Sequence, residues 1–329
     1  MKNIIKIIII FYYFSLIVIN QNKEKKKLFE ITNNNNSQMK LNLINENTTF
    51  GIIAYPCKYC GLFSIFNKNL KCILSTIERG IIPIVDLTSE TNIFNEFNQI
   101  SLTINPWEIY FNQPFGFSLN DIKRKSKNII KIKCEKFYSP HFDRIYNNIL
   151  FQDFLRTIAE KYVPIKKNII LEAEKTRIKL FGNSTNILGI LMRGTDFIAA
   201  KPKYHNIPPD YKIVFEDIIK LDKIHKYDFF FITTEDRVLR KKFINKFKKK
   251  IKYFINENDI KYDYKNKNLL AENSNIKGNF GFMKHYLINI IILSKCLDIL
   301  SAKTNGAIGA FIFSKGFRFS KVYDLGSYK

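Results

Sequence analysis

The chain has 329 residues, of which 46% are hydrophobic and 15% aromatic, and its formal net charge is +24. This length and apolar content exclude an intrinsically disordered protein and leave room for two domains with buried cores. The positive charge favours anionic partners such as sugar nucleotides, lipid headgroups or nucleic acid. Five cysteines without regular spacing are atypical of a disulfide-bonded secreted domain, so we expect reduced thiols.

The N-terminal segment from Ile4 to Ile19 is almost entirely apolar, and a basic cluster, Lys23 to Lys27, follows it. A spanning helix needs roughly 20 apolar residues, and no small-residue cleavage site of a signal peptide is present. We predict that residues 1–27 form a membrane anchor, with a cleaved signal or a buried helix as alternatives. The basic cluster favours a cytoplasmic position for the rest of the chain.

A first folded half is predicted over residues 28–182. A short apolar strand from Gly51 to Tyr55, a helix with one apolar stripe from Leu62 to Ile77, and a strand from Ile81 to Val85 give the order typical of a Rossmann-like domain. Cys57 and Cys60, in the first loop, have the spacing of half a zinc site, but no second pair lies at a suitable distance. Farther along, Trp107 stands in an aromatic run that is either core packing or a platform for a sugar acceptor.

The second half, predicted over residues 183–329, alternates strands and helices more regularly. Repeated alternation of this kind requires right-handed crossovers and therefore a parallel sheet. We predict strands at 187–192, 228–233, 252–254, 297–300 and 321–325, and helices at 211–221, 237–248, 282–295 and 306–314.

The strongest candidate site follows the first strand of this half. Arg193 and Gly194 come directly after a buried apolar run, at the sheet edge where open α/β sheets bind ligands. A forked guanidinium at that edge suits an anionic group such as a phosphate, whereas an ion pair with Asp196 is the structural alternative. Lys201, Lys203 and His205 follow in the same polar loop.

Two further stretches lie at the ends of later strands. Glu235 and Asp236 are placed to accept hydrogen bonds from a ribose or a base, or to cap the next helix. Thr304, Asn305 and Gly306 precede a helix start rich in small residues, where exposed N–H groups and the helix dipole favour a phosphate. Close packing of helix on sheet also needs small residues, and that alternative stays open.

These elements in this order resemble the α-1,6- and protein O-fucosyltransferase superfamily, particularly its small bacterial members. The resemblance extends from about Gly51 to the C-terminus and depends on Arg-Gly-Thr-Asp at 193–196, the loop to His205, Thr-Thr-Glu-Asp at 233–236, and Thr-Asn-Gly at 304–306. It implies the GT-B arrangement, two Rossmann-like domains facing each other across a cleft, and a sugar-nucleotide donor, GDP-fucose. In that superfamily the arginine matching Arg193 binds the β-phosphate and stabilises the leaving diphosphate, and the histidine matching His205 contacts the nucleotide.

The chain also departs from the eukaryotic α-1,6 pattern. That pattern has a histidine two residues before the arginine and a second arginine after it, where this chain has Leu191 and Gly194. The acidic residue proposed as base falls near Lys201, which cannot act as a base while protonated, so Asp196 is our substitute candidate. The donor-binding part of the resemblance is therefore better supported than the acceptor-binding part.

The resulting functional prediction is a glycosyltransferase that works without a metal or other cofactor, because the sequence contains no acidic metal cluster. Positive side chains would then take the role that a divalent cation has in other transferases. A nucleic-acid-binding protein is the alternative from another class, since the run from Arg237 to Lys252 is strongly basic. An inactive, sugar-binding relative is the third possibility.

Overall fold

The computed structural model describes residues 48–57, 60–90, 92, 94, 104–126, 128–133, 142–255 and 280–329. The apolar segment 4–19 and the basic cluster that follows it lie outside these residues, so the predicted membrane association stays a prediction. In the described part of the chain, no helix is long and apolar enough to cross a membrane.

A parallel sheet of three strands lies in the first half, in the order β2-β1-β3. The helix after β1 buries the predicted apolar stripe and ends just before Gly80, whose φ of 75° is a left-handed conformation that glycine adopts without steric cost. The strands are β1 (Thr49–Ile53), β2 (Ile82–Val85) and β3 (Asn128–Ile132), and the helices are α1 (Leu62–Glu78), α2 (Trp107–Tyr110), α3 (Leu119–Lys125), α4 (Ile149–Tyr162) and α5 (Lys167–Phe181), with a 3₁₀ turn at Phe142–Tyr146.

A second parallel sheet has five strands in the order β6-β5-β4-β7-β8. Its central strand β4 is buried along its whole length, which explains why its sequence is continuously apolar instead of alternating. The strands are β4 (Ile187–Leu191), β5 (Phe229–Thr233), β6 (Ile251–Lys252), β7 (Asp298–Ala302) and β8 (Phe319–Tyr323), and the helices are α6 (Thr195–Ala200), α7 (Tyr211–His225), α8 (Arg237–Phe247), α9 (Phe280–Leu293) and α10 (Asn305–Phe313).

The predicted α/β class with two parallel sheets is confirmed. Helix α5, which connects the two sheets, packs against the second one: the ring of Phe181 lies 5.8 Å from that of Phe229 and 5.6 Å from that of Phe231. The boundary between residues 182 and 183 stays a prediction. Trp107 is only 1% exposed, so the aromatic run around it is core packing and offers no platform to an acceptor.

The two halves contact each other through α1 and α10. A Cβ on Gly309 would lie 2.2 Å from Cε1 of Phe63. Because residue 309 has no side chain, α10 can approach α1 this closely. One turn farther along α1, the side-chain amide of Asn67 donates to the backbone oxygen of Asn305 at 3.3 Å and to its Oδ1 at 3.0 Å. The start of α10 is thereby fixed by a residue of the first half.

The basic helix α8 packs as part of the second half. Leu239 and Phe243 are buried in its core, while Lys241 and Lys242 are exposed to solvent. A solvated helix face therefore accounts for both the apolar stripe and the basic residues of this run without a nucleic-acid partner.

The expectation of reduced thiols is wrong for Cys57 and Cys60, which form a disulfide with a Cα–Cα distance of 5.4 Å. Cys72 is disulfide-bonded as well. The short loop between β1 and α1 brings the first two thiols together, a proximity that their sequence spacing permits but does not require. The Lys68 ammonium lies 3.2 Å from Sγ of Cys57 and 3.4 Å from Sγ of Cys60.

A buried carboxylate fixes the amino end of β7. Asp298 is 0% exposed and accepts hydrogen bonds from Arg318 Nε at 3.0 Å, from the backbone N–H of Phe319 at 2.9 Å and from the Tyr227 hydroxyl. Burial by itself raises the pKa of Asp298, but the hydrogen bonds from Arg318 and Tyr227 together hold that pKa below its ordinary value. The network joins β7, β8 and the start of β5 at the sheet edge opposite the candidate site.

We predict that Asp298→Asn lowers the free energy of unfolding by about 1–3 kcal/mol at neutral pH, because buried donors lose a charged acceptor. The folded-state pKa of Asp298 lies below its unfolded value, so this stabilisation is present above about pH 4 and is lost as pH falls through the folded-state pKa. Urea unfolding of both proteins should therefore show a difference that shrinks at acid pH.

Asp222→Asn is the matched control. Asp222 pairs with Lys250 at 2.7 Å, but the two side chains are 25% and 44% exposed, so we expect a loss below about 1 kcal/mol. Equal losses in the two variants would contradict a special structural role for Asp298.

Candidate functional site

Three loops meet at the carboxyl edge of the second sheet. Strands β5, β4 and β7 are neighbours, and Leu191 in β4 pairs with Thr233 in β5 and with Ser301 in β7. Because the strands are parallel and in register, the loops that follow them leave the sheet side by side. These loops carry Arg193, Glu235 and Thr304, so the structure brings the three predicted stretches together.

Arg193 lies against Glu235. Its Nε is 3.4 Å from Oε1 of Glu235, and the same oxygen accepts a hydrogen bond of 2.7 Å from the backbone N–H of Gly194. A Cβ on Gly194 would lie 2.6 Å from Cβ of Asp236, so only glycine allows the two loops to come this close. The carboxylate thus fixes both the side chain and the backbone at the end of β4, and the Arg193 side chain keeps 26% exposure.

An aromatic ring supports the other side of the guanidinium. Cζ of Arg193 lies 4.3 Å from the centroid of Phe197, in the range of a cation–π interaction. The Phe197 ring in turn meets His205 edge to face, with centroids 5.2 Å apart. Arg193 and His205, predicted as neighbours in one loop, are therefore connected through a ring that the sequence analysis did not select.

His205 itself is exposed, and its Nδ1 lies 3.0 Å from the carbonyl oxygen of Lys203. Because a carbonyl only accepts, this contact places a proton on Nδ1 and leaves Nε2 as the acceptor of the neutral ring. The predicted nucleotide contact of His205 stays a prediction. In the structure, the Phe197 ring contacts both His205 and Arg193.

The loop that carries His205 is paired with the C-terminal end of the chain. The N–H of Tyr204 donates to the carbonyl of Tyr328 at 2.9 Å, the N–H of Ile207 to the carbonyl of Gly326 at 2.9 Å, and the N–H of Tyr328 to the carbonyl of His205 at 3.0 Å. The last residues of the chain therefore restrain the loop beside Arg193.

The start of α10 provides backbone donors at the same edge. Thr304 is the N-cap: its Oγ1 accepts from the N–H of Ala307 at 3.1 Å. The first N–H groups of a helix have no intrahelical acceptor and carry the positive end of the dipole, so those of Asn305 and Gly306 suit an anion. The predicted phosphate seat at 304–306 thus has the required backbone form, with Thr304 acting mainly as the cap.

Asp236 and Asp196 are the two remaining acidic candidates. Asp236 is 2% exposed and its Oδ1 accepts from the N–H groups of Val238 and Leu239, so the capping alternative describes it better than ligand binding does. Asp196 belongs to α6, and its side chain lies outside the described part of the structure. Its predicted role as base stays a prediction.

The predicted substrate-binding Lys201 ends α6 in a left-handed conformation with φ of 44°, and it is exposed. Lys203 is exposed as well, with Nζ 5.1 Å from the ring centroid of Tyr204. Both lysines add positive charge to the loop, but neither has a fixed position beside Arg193 that would distinguish it from a solvated side chain.

Sequence reasoning missed Phe197, Asn67 and Tyr286. Phe197 had a usable signal, because an aromatic residue four positions after an arginine at a helix start can stack on it. Asn67 and Tyr286 had none, since both approach the site from helices remote in sequence. Among the described residues, no group of three or more His, Cys, Asp or Glu side chains is placed to hold a metal ion.

Comparison with solved structures finds a likeness to fucosyltransferase NodZ from Bradyrhizobium, at 12% identity and a TM-score of 0.42, covering 80% of this chain and 92% of that chain. NodZ α-1,6-fucosyltransferase co-crystallized with GDP gives 12% identity, a TM-score of 0.45, and coverage of 82% and 93%. POFUT1 in complex with GDP-fucose gives 9% identity, a TM-score of 0.46, and coverage of 85% and 98%.

TM-scores below 0.5 and identities this low assign no family, no residue and no substrate to this chain. No protein-family model matches the sequence, and no curated protein matches it. The function of this chain therefore has to be argued from its own residues.

We predict that removing residues 326–329 loosens the His205 loop, because three backbone hydrogen bonds to that loop are lost. Amide hydrogen exchange at Tyr204 and Ile207 should accelerate by about tenfold or more, and trypsin should cut faster after Lys203. Removing Lys329 alone is the matched control, since that residue makes none of these bonds. Unchanged exchange in the longer truncation would show that the C-terminal pairing does not restrain the loop.

Proposed function

We propose that this chain is a metal-independent glycosyltransferase that moves a sugar, fucose from GDP-fucose, to a glycan or glycoconjugate acceptor. The observation that carries the proposal is the position of the Arg193 guanidinium at the carboxyl edge of β4, beside the loop that leads to the N-terminus of α10. The donor is taken from the resemblance described above, whereas the phosphate site is argued from the residues at this edge.

The chemistry of sugar transfer explains why these groups suit the reaction. When the bond between the anomeric carbon and the diphosphate breaks, its electron pair stays on the diphosphate, whose negative charge increases. A cation held in place by Glu235 and Phe197 stabilises that charge more strongly in the transition state than in the ground state, which lowers the barrier. Backbone N–H groups at the start of α10 add to this effect without requiring a metal ion.

Fewer residues are assigned to the acceptor than to the phosphate of the donor. The attacking hydroxyl has to lose its proton, and Asp196 is our candidate for the base because it follows Arg193 in the same loop. Lys201, at the position of the family's acidic residue, lies on the surface and cannot take that role as an ammonium ion. The acceptor is therefore named only by class.

Calorimetric titration with GDP, UDP and dTDP, in excess EDTA and without it, tests the proposal. We expect GDP to bind most tightly and its Kd to be unchanged by EDTA, since the phosphate site consists of cationic and backbone donors. Transfer activity should likewise survive chelation. Absence of binding by all three nucleotides would reject the transferase proposal, and activity lost in EDTA but restored by manganese would reject metal independence.

We predict that Arg193→Ala lowers turnover by about 100-fold or more, as expected for loss of a transition-state donor. Arg193→Lys should recover little, because an ammonium lacks the two-pronged geometry of a guanidinium. Melting curves should stay close to wild type, since the side chain is partly exposed.

Arg177→Ala is the control for that variant, because Arg177 forms an ion pair with Glu174 on α5, away from the sheet edge. Its turnover should equal that of the wild type. Full turnover in Arg193→Ala would remove Arg193 from the mechanism, and a collapsed melting temperature would identify it as a structural ion-pair partner.

Membrane association through residues 4–19, with both folded halves on the cytoplasmic side, is likewise a proposal. Protease protection in sealed vesicles, with and without residues 1–27, distinguishes the two orientations and a soluble protein.

A further inference from the structure

Tyr286, on α9, presents its hydroxyl to the start of α10. A Cβ on Gly306 would lie 2.1 Å from that hydroxyl oxygen, so the phenol occupies the space that any other residue at 306 would fill. The ring is held edge to face against Phe63 of α1, with centroids 5.4 Å apart and an interplanar angle of 89°. Residues from both halves of the chain thus fix the direction of the hydroxyl.

The same hydroxyl lies within the electrostatic field of the Arg193–Glu235 pair. Burial is the main influence on the phenol and raises its pKa, while the charge of Arg193 lowers it and that of Glu235 raises it. The net direction is upward, so the phenol is protonated at neutral pH and acts as a hydrogen-bond donor.

Within the described part of the chain, no hydrogen bond joins the Tyr286 hydroxyl to another residue. Tyr286 is only partly buried and its hydroxyl is not fully shielded from solvent, so the hydroxyl is accessible to a ligand. The position beside Gly306, whose N–H belongs to the first turn of α10, indicates what the partner is: an anion seated on that turn would lie within reach of the phenol as well as of the backbone.

We propose that the Tyr286 hydroxyl donates a hydrogen bond to the diphosphate of the bound donor, beside Arg193 and the first N–H groups of α10. This inference depends on the proposed function, since it names a further residue of the same phosphate site. The phenol forms no covalent bond and transfers no proton. It stabilises the charge that the diphosphate gains when the glycosidic bond breaks, and it contributes equally to binding of the GDP product.

Tyr286→Phe is the decisive variant, because it removes the hydroxyl and keeps the ring that packs on Phe63. We expect the Kd for GDP to rise about tenfold, in the range of one hydrogen bond to a charged group, and turnover to fall about 10- to 100-fold. The melting temperature should not fall, since the lost hydroxyl has no protein acceptor among the described residues.

Tyr323→Phe is the matched control. Its hydroxyl donates to Asp217 at 2.7 Å, so this variant should lose stability while its Kd for GDP stays that of the wild type. A second check uses Gly306→Ala, which places a methyl group against the phenol. Adding Tyr286→Phe should restore part of the stability that Gly306→Ala loses, because the closest contact disappears.

The outcomes separate the two proposals. If wild-type protein binds GDP and Tyr286→Phe binds it equally well, the role of Tyr286 is rejected and the transferase proposal stands. If wild-type protein binds no nucleoside diphosphate, the proposed function is rejected and the role of Tyr286 with it. If Tyr286→Phe weakens GDP binding but also lowers the melting temperature as Tyr323→Phe does, the residue is structural and the inference fails.

Discussion

The parallel register of β5, β4 and β7 is the constraint on which the rest of the site depends. Parallel strands place all their carboxyl ends at one edge, so the three loops that follow must emerge together however far apart they lie in the sequence. At the opposite edge, the Asp298 network joins β7 and β8 and holds the same strands in place. The ion-pair network thus lies at one edge of the sheet, and the site that we propose lies at the other.

Four glycines of the second half allow neighbouring elements to pack closely against one another. Gly189 lets β4 lie against Leu293 of α9, and Gly194 lets the Arg193 loop reach the loop after β5. In α10, Gly306 allows the close approach of Tyr286, and Gly309 allows the close approach of Phe63. A methyl group at any of these positions would have to displace a neighbouring side chain, and in a densely packed interior such displacement is costly.

The electrostatic design is a cation that is oriented before any ligand arrives. Both Glu235 and Phe197 contact the Arg193 side chain, so the diphosphate binding that we propose would require little reorganisation of it. The carboxylate also reduces the net charge at the site, which lowers the attraction for anions in general. What is gained is a fixed position of the guanidinium at the carboxyl end of β4, on the sheet edge that also carries the start of α10.

The sequence alone determined the α/β class, the alternation of the main strands and helices in the second half, and the position of Arg193 directly after a buried strand. These follow from local patterns: continuous apolar runs become buried parallel strands, and a charged residue directly after such a run lies at the binding edge. It also offered capping for Asp236, because N-cap side chains act within their own first turn, whereas the capping role of Thr304 was found only in the structure.

Only the tertiary structure decided which residues from distant elements complete the site. Tyr286 and Asn67 reach the start of α10 from α9 and α1, and no pattern in their own segments distinguishes them from other residues that are partly or fully buried. The Cys57–Cys60 disulfide depended on a turn geometry that the spacing does not fix, and the restraint of the His205 loop by residues 326–328 depended on where the chain ends in space. The physical reason is the same in each case: these contacts are set by the packing of elements against one another, which local sequence periodicity does not encode.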